Sequence, residues 1–140
     1  MGNRVTYKYG EDGKLVRSGK FERMLADGQE PDYEVVAGDM LIERTMRKLP
    51  EERDEFGGGD RAHKVEELGD MLELVEFLAY LSGIPMFEVA QAQEAKRRVA
   101  GDFLDGIVVR AVTVNEGDEW DRYYGERPGV FIRLEPSHEP

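Results

Sequence analysis

Two pairs of acidic residues constrain the fold of this chain more than any other feature. The pairs are Glu52 with Glu55, and Glu67 with Asp70. On an α-helix, side chains three residues apart project about 60° from each other and share one face. Two such helices packed face to face would bring four carboxylates together, and these would repel one another unless a cation lay between them. The pattern therefore predicts a pair of helices that holds a hard cation such as Mg²⁺.

Spacing leaves the choice of ligands open on the first of these helices. Glu51 and Glu55, four residues apart, share a helix face about as well as Glu52 and Glu55 do. Taken alone, an acidic pair on a helix is most often a solvated face. Here Glu67 and Asp70 lie in a strongly apolar helical pattern, where unpaired charge is costly to bury. That setting favours a cation site over a solvated face.

Apolar periodicity predicts three long helices around the carboxylates, from about residue 38 to 56, 61 to 81 and 85 to 99. Pro50 lies inside the first, which predicts either a kink or the start of a new helix. Asp60 is a good N-cap for the second, whose apolar stripe we expect to face the core. The stripe consists of Val65, Leu68, Leu72, Val75 and Leu78.

The terminal segments predict a small β element. Residues 107–114 are rich in β-branched side chains, and residues 129–134 are their expected antiparallel partner. Near the N-terminus, alternation over residues 5–9 suggests another short strand. The expected fold is therefore mainly α, a helical bundle with a small antiparallel β element from the termini.

Length and composition predict one domain over residues 1–140, with a helical metal-binding core at 36–100 and a C-terminal β extension at 105–135. A chain of this size has a modest core, and a homodimer would bury more apolar surface. The net charge of −11 disfavours nucleic acid polymers and anionic membranes as partners. The sequence has no cysteine and no long apolar run at its start, so we expect a cytoplasmic protein without disulfides.

The acidic motifs and their surroundings resemble those of a known superfamily. Residues 51–55 have the form EExxE and residues 67–70 the form ExxD, as in the MazG-like all-α nucleoside triphosphate pyrophosphohydrolases. Residues 14–17, KLVR, resemble the entry motif of the phosphoribosyl-ATP pyrophosphohydrolase-like branch, and residues 66–73 resemble its EELADVLE. The similarity extends from about residue 7 to 110.

This resemblance implies a helical bundle, assembled as a homodimer or tetramer, that hydrolyses a nucleoside triphosphate to a monophosphate and pyrophosphate. It implies a role in removing unwanted nucleotides. Mg²⁺, with Mn²⁺ as an alternative, would bind between carboxylates that are also the catalytic residues, while basic residues would contact the phosphates. The carboxylates would be Glu52, Glu55, Glu67 and Asp70, with Glu51 beside them, and the basic residues Lys14, Arg17, Lys96 and Arg97.

Departures from the family pattern keep two other functions open. The family's Arg-Asp-Lys becomes Arg-Ser-Gly at residues 17–19, and Pro50 interrupts the EExxE helix. If Pro50 displaces Glu52 and Glu55, the chain would be a metal- or nucleotide-binding module without catalysis. If the acidic face binds a basic partner instead, the chain would be a helical oligomerisation protein.

Overall fold

The computed structural model describes residues 2–135, and this part of the chain is mainly α, as predicted. Backbone contacts divide the chain into two compact units, with the boundary between Ala100 and Gly101. The boundary lies where the sequence changes from helical periodicity to a segment rich in β-branched residues. The helices are α1 (Ser18–Ala26), α2 (Gly38–Phe56), α3 (Arg61–Leu81), α4 (Met86–Ala100) and α5 (Glu119–Gly125).

Helices α2 and α3 form a hairpin, and their contact dominates the first unit. Asp60 caps α3, because its Oδ1 accepts a hydrogen bond from the His63 backbone N–H at 3.0 Å. Gly59 has a φ of +80°, and a Cβ at this position would lie 2.5 Å from the His63 ring. The turn therefore requires glycine at residue 59 both for its backbone conformation and for space.

Helix α2 continues across Pro50 as one helix, so a new helix does not begin there. The predicted bounds of α2 and α3 are both confirmed. One turn before the proline, Thr45 is fully buried, and its Oγ1 donates a hydrogen bond to the Leu41 carbonyl at 2.7 Å. This hydroxyl is satisfied within α2, so it takes no part in the polar group that follows at the end of the helix.

The predicted β element is not formed within residues 2–135. Residues 107–114 and 129–134 contain no strand, and neither does the alternating segment at 5–9. β-branched side chains favour an extended backbone, but a strand also needs a hydrogen-bonded partner and a covered apolar face. The second unit is instead organised around the aromatic side chains of α5, where the rings of Tyr124 and Phe131 lie 4.8 Å apart.

The described chain buries little apolar surface by itself, since Ala79 is its one buried hydrophobic residue. Contrary to prediction, most of the α3 stripe is exposed, with Leu68 53% and Leu72 54% accessible. A hairpin covers only one side of each helix, and the side of α3 that carries Glu67 is the more buried one. Helix α3 thus has a second apolar face that the described part of the first unit leaves uncovered.

Within residues 2–135, every helix is too short or too polar to span a bilayer.

Candidate metal centre

Three of the predicted carboxylates converge between α2 and α3. Glu52 from α2 and Glu67 and Asp70 from α3 each offer one oxygen, and the three oxygens lie within 4.8 Å of one another. Glu52 is only 8% exposed and Glu67 only 6%. Like charges this close and this well buried destabilise the fold unless something neutralises them.

Two carboxylate oxygens of this group have no hydrogen-bond partner among the described residues. They are Glu52 Oε2 and Glu67 Oε2, and both are buried. Proteins rarely leave a buried polar atom unsatisfied, because the lost hydration is not replaced. A cation would satisfy both oxygens, and carboxylate oxygens are the ligands that Mg²⁺ and Mn²⁺ prefer. The donor set therefore fits a hard divalent cation.

The surroundings of Glu52 favour its protonated, neutral form. Burial is the main cause that raises the pKa of Glu52 from 4.5 to about 7. A hydrogen bond from protonated Glu52 to Glu67 and the negative charges of Asp70 and Glu55 raise the pKa in the same direction. A divalent cation that binds here at neutral pH must displace this proton.

The other two predicted ligands lie outside the group. Glu55 is exposed on the last turn of α2, although its charge acts on the pKa of Glu52. The half-buried Glu51 forms salt bridges with Lys14 at 3.6 Å and with Lys48 at 3.3 Å. Of the two residues, Glu52 rather than Glu51 therefore faces the acidic pair of α3.

His63 connects the end of α2 to a buried carboxylate of α3. Its Nε2 lies 2.8 Å from the Glu55 carbonyl oxygen, and its Nδ1 lies 3.9 Å from Glu67 Oε1. Since a carbonyl only accepts, Nε2 must carry the hydrogen. This hydrogen bond is the main cause that raises the pKa of His63, and the charges of Glu67 and Glu66 add to it.

The predicted substrate-binding residues lie in two places. Arg17 reaches the acidic group, with its Nη2 2.9 Å from Asp70 Oδ1 and its Nη1 3.9 Å from Glu73 Oε1. Lys96 and Arg97 are exposed on α4 and form no ion pair within residues 2–135. The first unit therefore brings Arg17 to the acidic group and Lys14 only to the neighbouring Glu51, and it does not bring Lys96 and Arg97 there.

Comparison with known proteins gives no relative: no protein family, curated protein or solved structure matches this chain. The superfamily suggested by residues 51–55 and 67–70 stays a prediction that rests on those motifs. The geometry of the three carboxylates is independent of it.

Proposed function

We propose that the protein is a Mg²⁺-dependent nucleoside triphosphate pyrophosphohydrolase with a role in removing unwanted nucleotides. The observation that carries this proposal is the convergence of Glu52, Glu67 and Asp70, two of whose buried oxygens lack a donor in the described part of the chain. The motifs at residues 51–55 and 67–70 indicate the type of reaction, because their order and spacing resemble those of a superfamily that releases pyrophosphate.

In this proposal the chain binds the cation through Glu52, Glu67 and Asp70. When bound, Mg²⁺ or Mn²⁺ would supply charge neutralisation for the triphosphate and would favour the ionisation of water. Water would attack the α-phosphorus, the bond from that phosphorus to the bridging oxygen would break, and pyrophosphate would leave. The exposed carboxylate of Glu55, one turn beyond Glu52 on α2, is suited to accept the proton of this water or to complete the ligand set.

We propose further that the active form is a homodimer or a tetramer. Val65, Leu68, Leu72 and Val75 are exposed on α3 at alternating spacings of three and four residues. This is the spacing of a helix seam that packs against another helix. A second copy of α3, or the same stripe in a larger bundle, would cover the apolar face that the single chain exposes.

One observation favours an alternative function. Glu51 and Glu55 lie outside the group of three carboxylates, so residues 2–135 gather fewer ligands than the superfamily pattern implies. A module that binds a metal nucleotide without hydrolysing it would need no base and fewer ligands. This alternative predicts Mn²⁺ binding in the absence of pyrophosphate release.

The test is pyrophosphate release from a panel of ribo- and deoxyribonucleoside triphosphates, with Mg²⁺ and with chelator. We expect Mg²⁺-dependent release that Glu67→Gln lowers by at least about 100-fold, because the substitution removes a buried ligand. Glu66→Gln is the matched control, since it removes the same charge from the neighbouring, exposed residue of α3 and should keep the activity.

Release of single phosphates, or no release from any member of the panel, would contradict the proposal. Mn²⁺ binding that Glu67→Gln abolishes, combined with no release, would instead support the non-catalytic module.

A further inference from the structure

The chain places one of its own cations on the acidic group. Arg17 donates from Nη2 to Asp70 Oδ1 at 2.9 Å, and Nη1 lies 3.9 Å from Glu73. Within residues 2–135, it is the only lysine or arginine that forms an ion pair with a member of the converging carboxylates. Among the same residues, nothing donates a hydrogen bond to the buried Oε2 atoms of Glu52 and Glu67. Arg17 thus neutralises the outer part of the group and leaves the deep part for another ligand.

The backbone of Arg17 is held at the start of α1, while its side chain is largely exposed. Its carbonyl accepts the hydrogen bond from the Phe21 N–H that begins α1, at 3.1 Å, and Leu15 and Val16 before it are half-buried. Three residues earlier, Lys14 pairs with Glu51 of α2. The Arg17 side chain is 63% exposed, so its ion pair is of the weak, solvated kind and can break without loss of the fold.

A divalent cation and a guanidinium compete for the same carboxylate. A metal held by Asp70 together with the two buried glutamates would lie within a few ångströms of Arg17, and two cations at that separation repel each other. Metal binding therefore favours release of the guanidinium. Once released, its planar fork of donors matches a phosphate group, which Lys would contact only as a point charge.

We propose that Arg17 binds Asp70 in the metal-free protein and transfers to the substrate phosphates when the metal binds. The first half, competition with the metal, needs only the acidic group. The second half, transfer to phosphate, rests on the proposed function.

The first half is tested by titrating the full-length protein with Mn²⁺ at about pH 8 and measuring free Mn²⁺ by electron paramagnetic resonance. We expect Arg17→Gln to bind Mn²⁺ about threefold to tenfold more tightly than the wild type, because a competing charge is gone. Arg23→Gln is the control, since Arg23 is an exposed arginine of α1 whose partner is Asp27, and its affinity should equal that of the wild type.

The second half is tested by the KM for the triphosphate at saturating Mg²⁺. Arg17→Gln should raise KM about tenfold with a smaller change in kcat, and Arg17→Lys should lie between it and the wild type. Transfer predicts opposite effects of Arg17→Gln, namely tighter Mn²⁺ binding and a higher KM for the triphosphate. A residue with only a structural role would not produce this combination.

The negative results of these experiments distinguish between the two halves of the proposal. Unchanged or weaker Mn²⁺ binding by Arg17→Gln, or no Mn²⁺ binding by the wild type, overturns the competition. An unchanged KM overturns the transfer. If the wild type hydrolyses no triphosphate, the proposed function fails and the transfer fails with it, while the Mn²⁺ titration still decides the competition.

Discussion

Replacing Glu52 by glutamine should stabilise the metal-free protein, although it removes a proposed metal ligand. The carboxyl is 8% exposed and lies beside two other carboxylates, and these surroundings raise its pKa from 4.5 to about 7. Glutamine has nearly the same shape and no charge, so it avoids the cost of ionising this group inside the fold. The gain should therefore appear only at a pH where Glu52 of the wild type is ionised.

The magnitude follows from the pKa itself. A rise from 4.5 to about 7, at about 1.4 kcal/mol per pH unit, corresponds to roughly 3 kcal/mol. Because the pKa is higher in the folded state, the folded protein binds the proton more tightly than the unfolded chain does. The stabilisation that the folded protein gains from this tighter proton binding is present in full below pH 4.5 and is lost as the pH rises through about 7. We expect Glu52→Gln to gain about 2–3 kcal/mol over the wild type at pH 8 and almost nothing at pH 4.5.

The assay is urea unfolding in chelator at the two pH values, with all variants at one protein concentration because assembly also affects stability. Glu66→Gln is the control, since this exposed neighbour should change stability little at either pH. A loss of stability in Glu52→Gln at pH 8, or a gain of equal size at both pH values, would refute the assignment of a buried, unfavourable charge to Glu52.

Three further predictions concern the metal, the turn and the assembly. Mn²⁺ affinity should fall about tenfold per pH unit below pH 7, because a proton on Glu52 competes, and a titration that gives equal affinity at pH 6 and pH 8 would contradict this. Gly59→Ala should lower the free energy of unfolding in urea by about 1–3 kcal/mol, since φ is +80° and the new Cβ meets the His63 ring. Gly58→Ala is the control and should cost less, because a Cβ there has open space. Leu72→Glu should dissociate the proposed homodimer, because it places a charge on the exposed apolar stripe of α3, whereas Glu76→Gln should leave it intact. The molar mass from light scattering measures this, and a wild type that is already monomeric would contradict the proposed dimer.

The hairpin itself could be predicted from the sequence because its signals are local. Asp60 as N-cap, the glycines before it and the apolar periodicity on both sides fix the bounds of α2 and α3. The choice of ligands is not local. Glu51, Glu52 and Glu55 all lie near one face, and only the rotation of α2 against α3 decides which carboxylate meets Glu67.

The apolar stripe of α3 and the expected β element also depend on contacts that a local sequence pattern does not specify. Periodicity identified Leu68 and Leu72 as apolar positions of a helix but not which molecule covers them. Likewise, the β-branched run at 107–114 favours an extended backbone, yet its pairing depends on a partner that lies elsewhere in the sequence or in another chain.

Within residues 2–135, the most buried side chains are not those of an ordinary apolar core. Under our proposal, the stability of the protein therefore depends on a cation and on a second copy of the chain. Its most buried side chains are polar ones, Thr45, Glu52 and Glu67, with Ala79 as the one hydrophobic exception in residues 2–135. A hairpin that encloses carboxylates gains little from the hydrophobic effect. A cation would remove the electrostatic cost, and a second copy on the α3 stripe would add the missing apolar contact.

If the cation and the second copy bind the folded chain in preference to the unfolded one, as we propose, each should raise the melting temperature by mass action. We expect the melting temperature to rise with protein concentration in chelator, and to be higher at every concentration when Mn²⁺ is present. A melting temperature that ignores protein concentration would show that no second copy covers Leu68 and Leu72. A melting temperature that does not change with Mn²⁺ would show that no metal binds the acidic group. If Glu52→Gln still stabilised the protein at pH 8, the natural occupant of the group would be a proton.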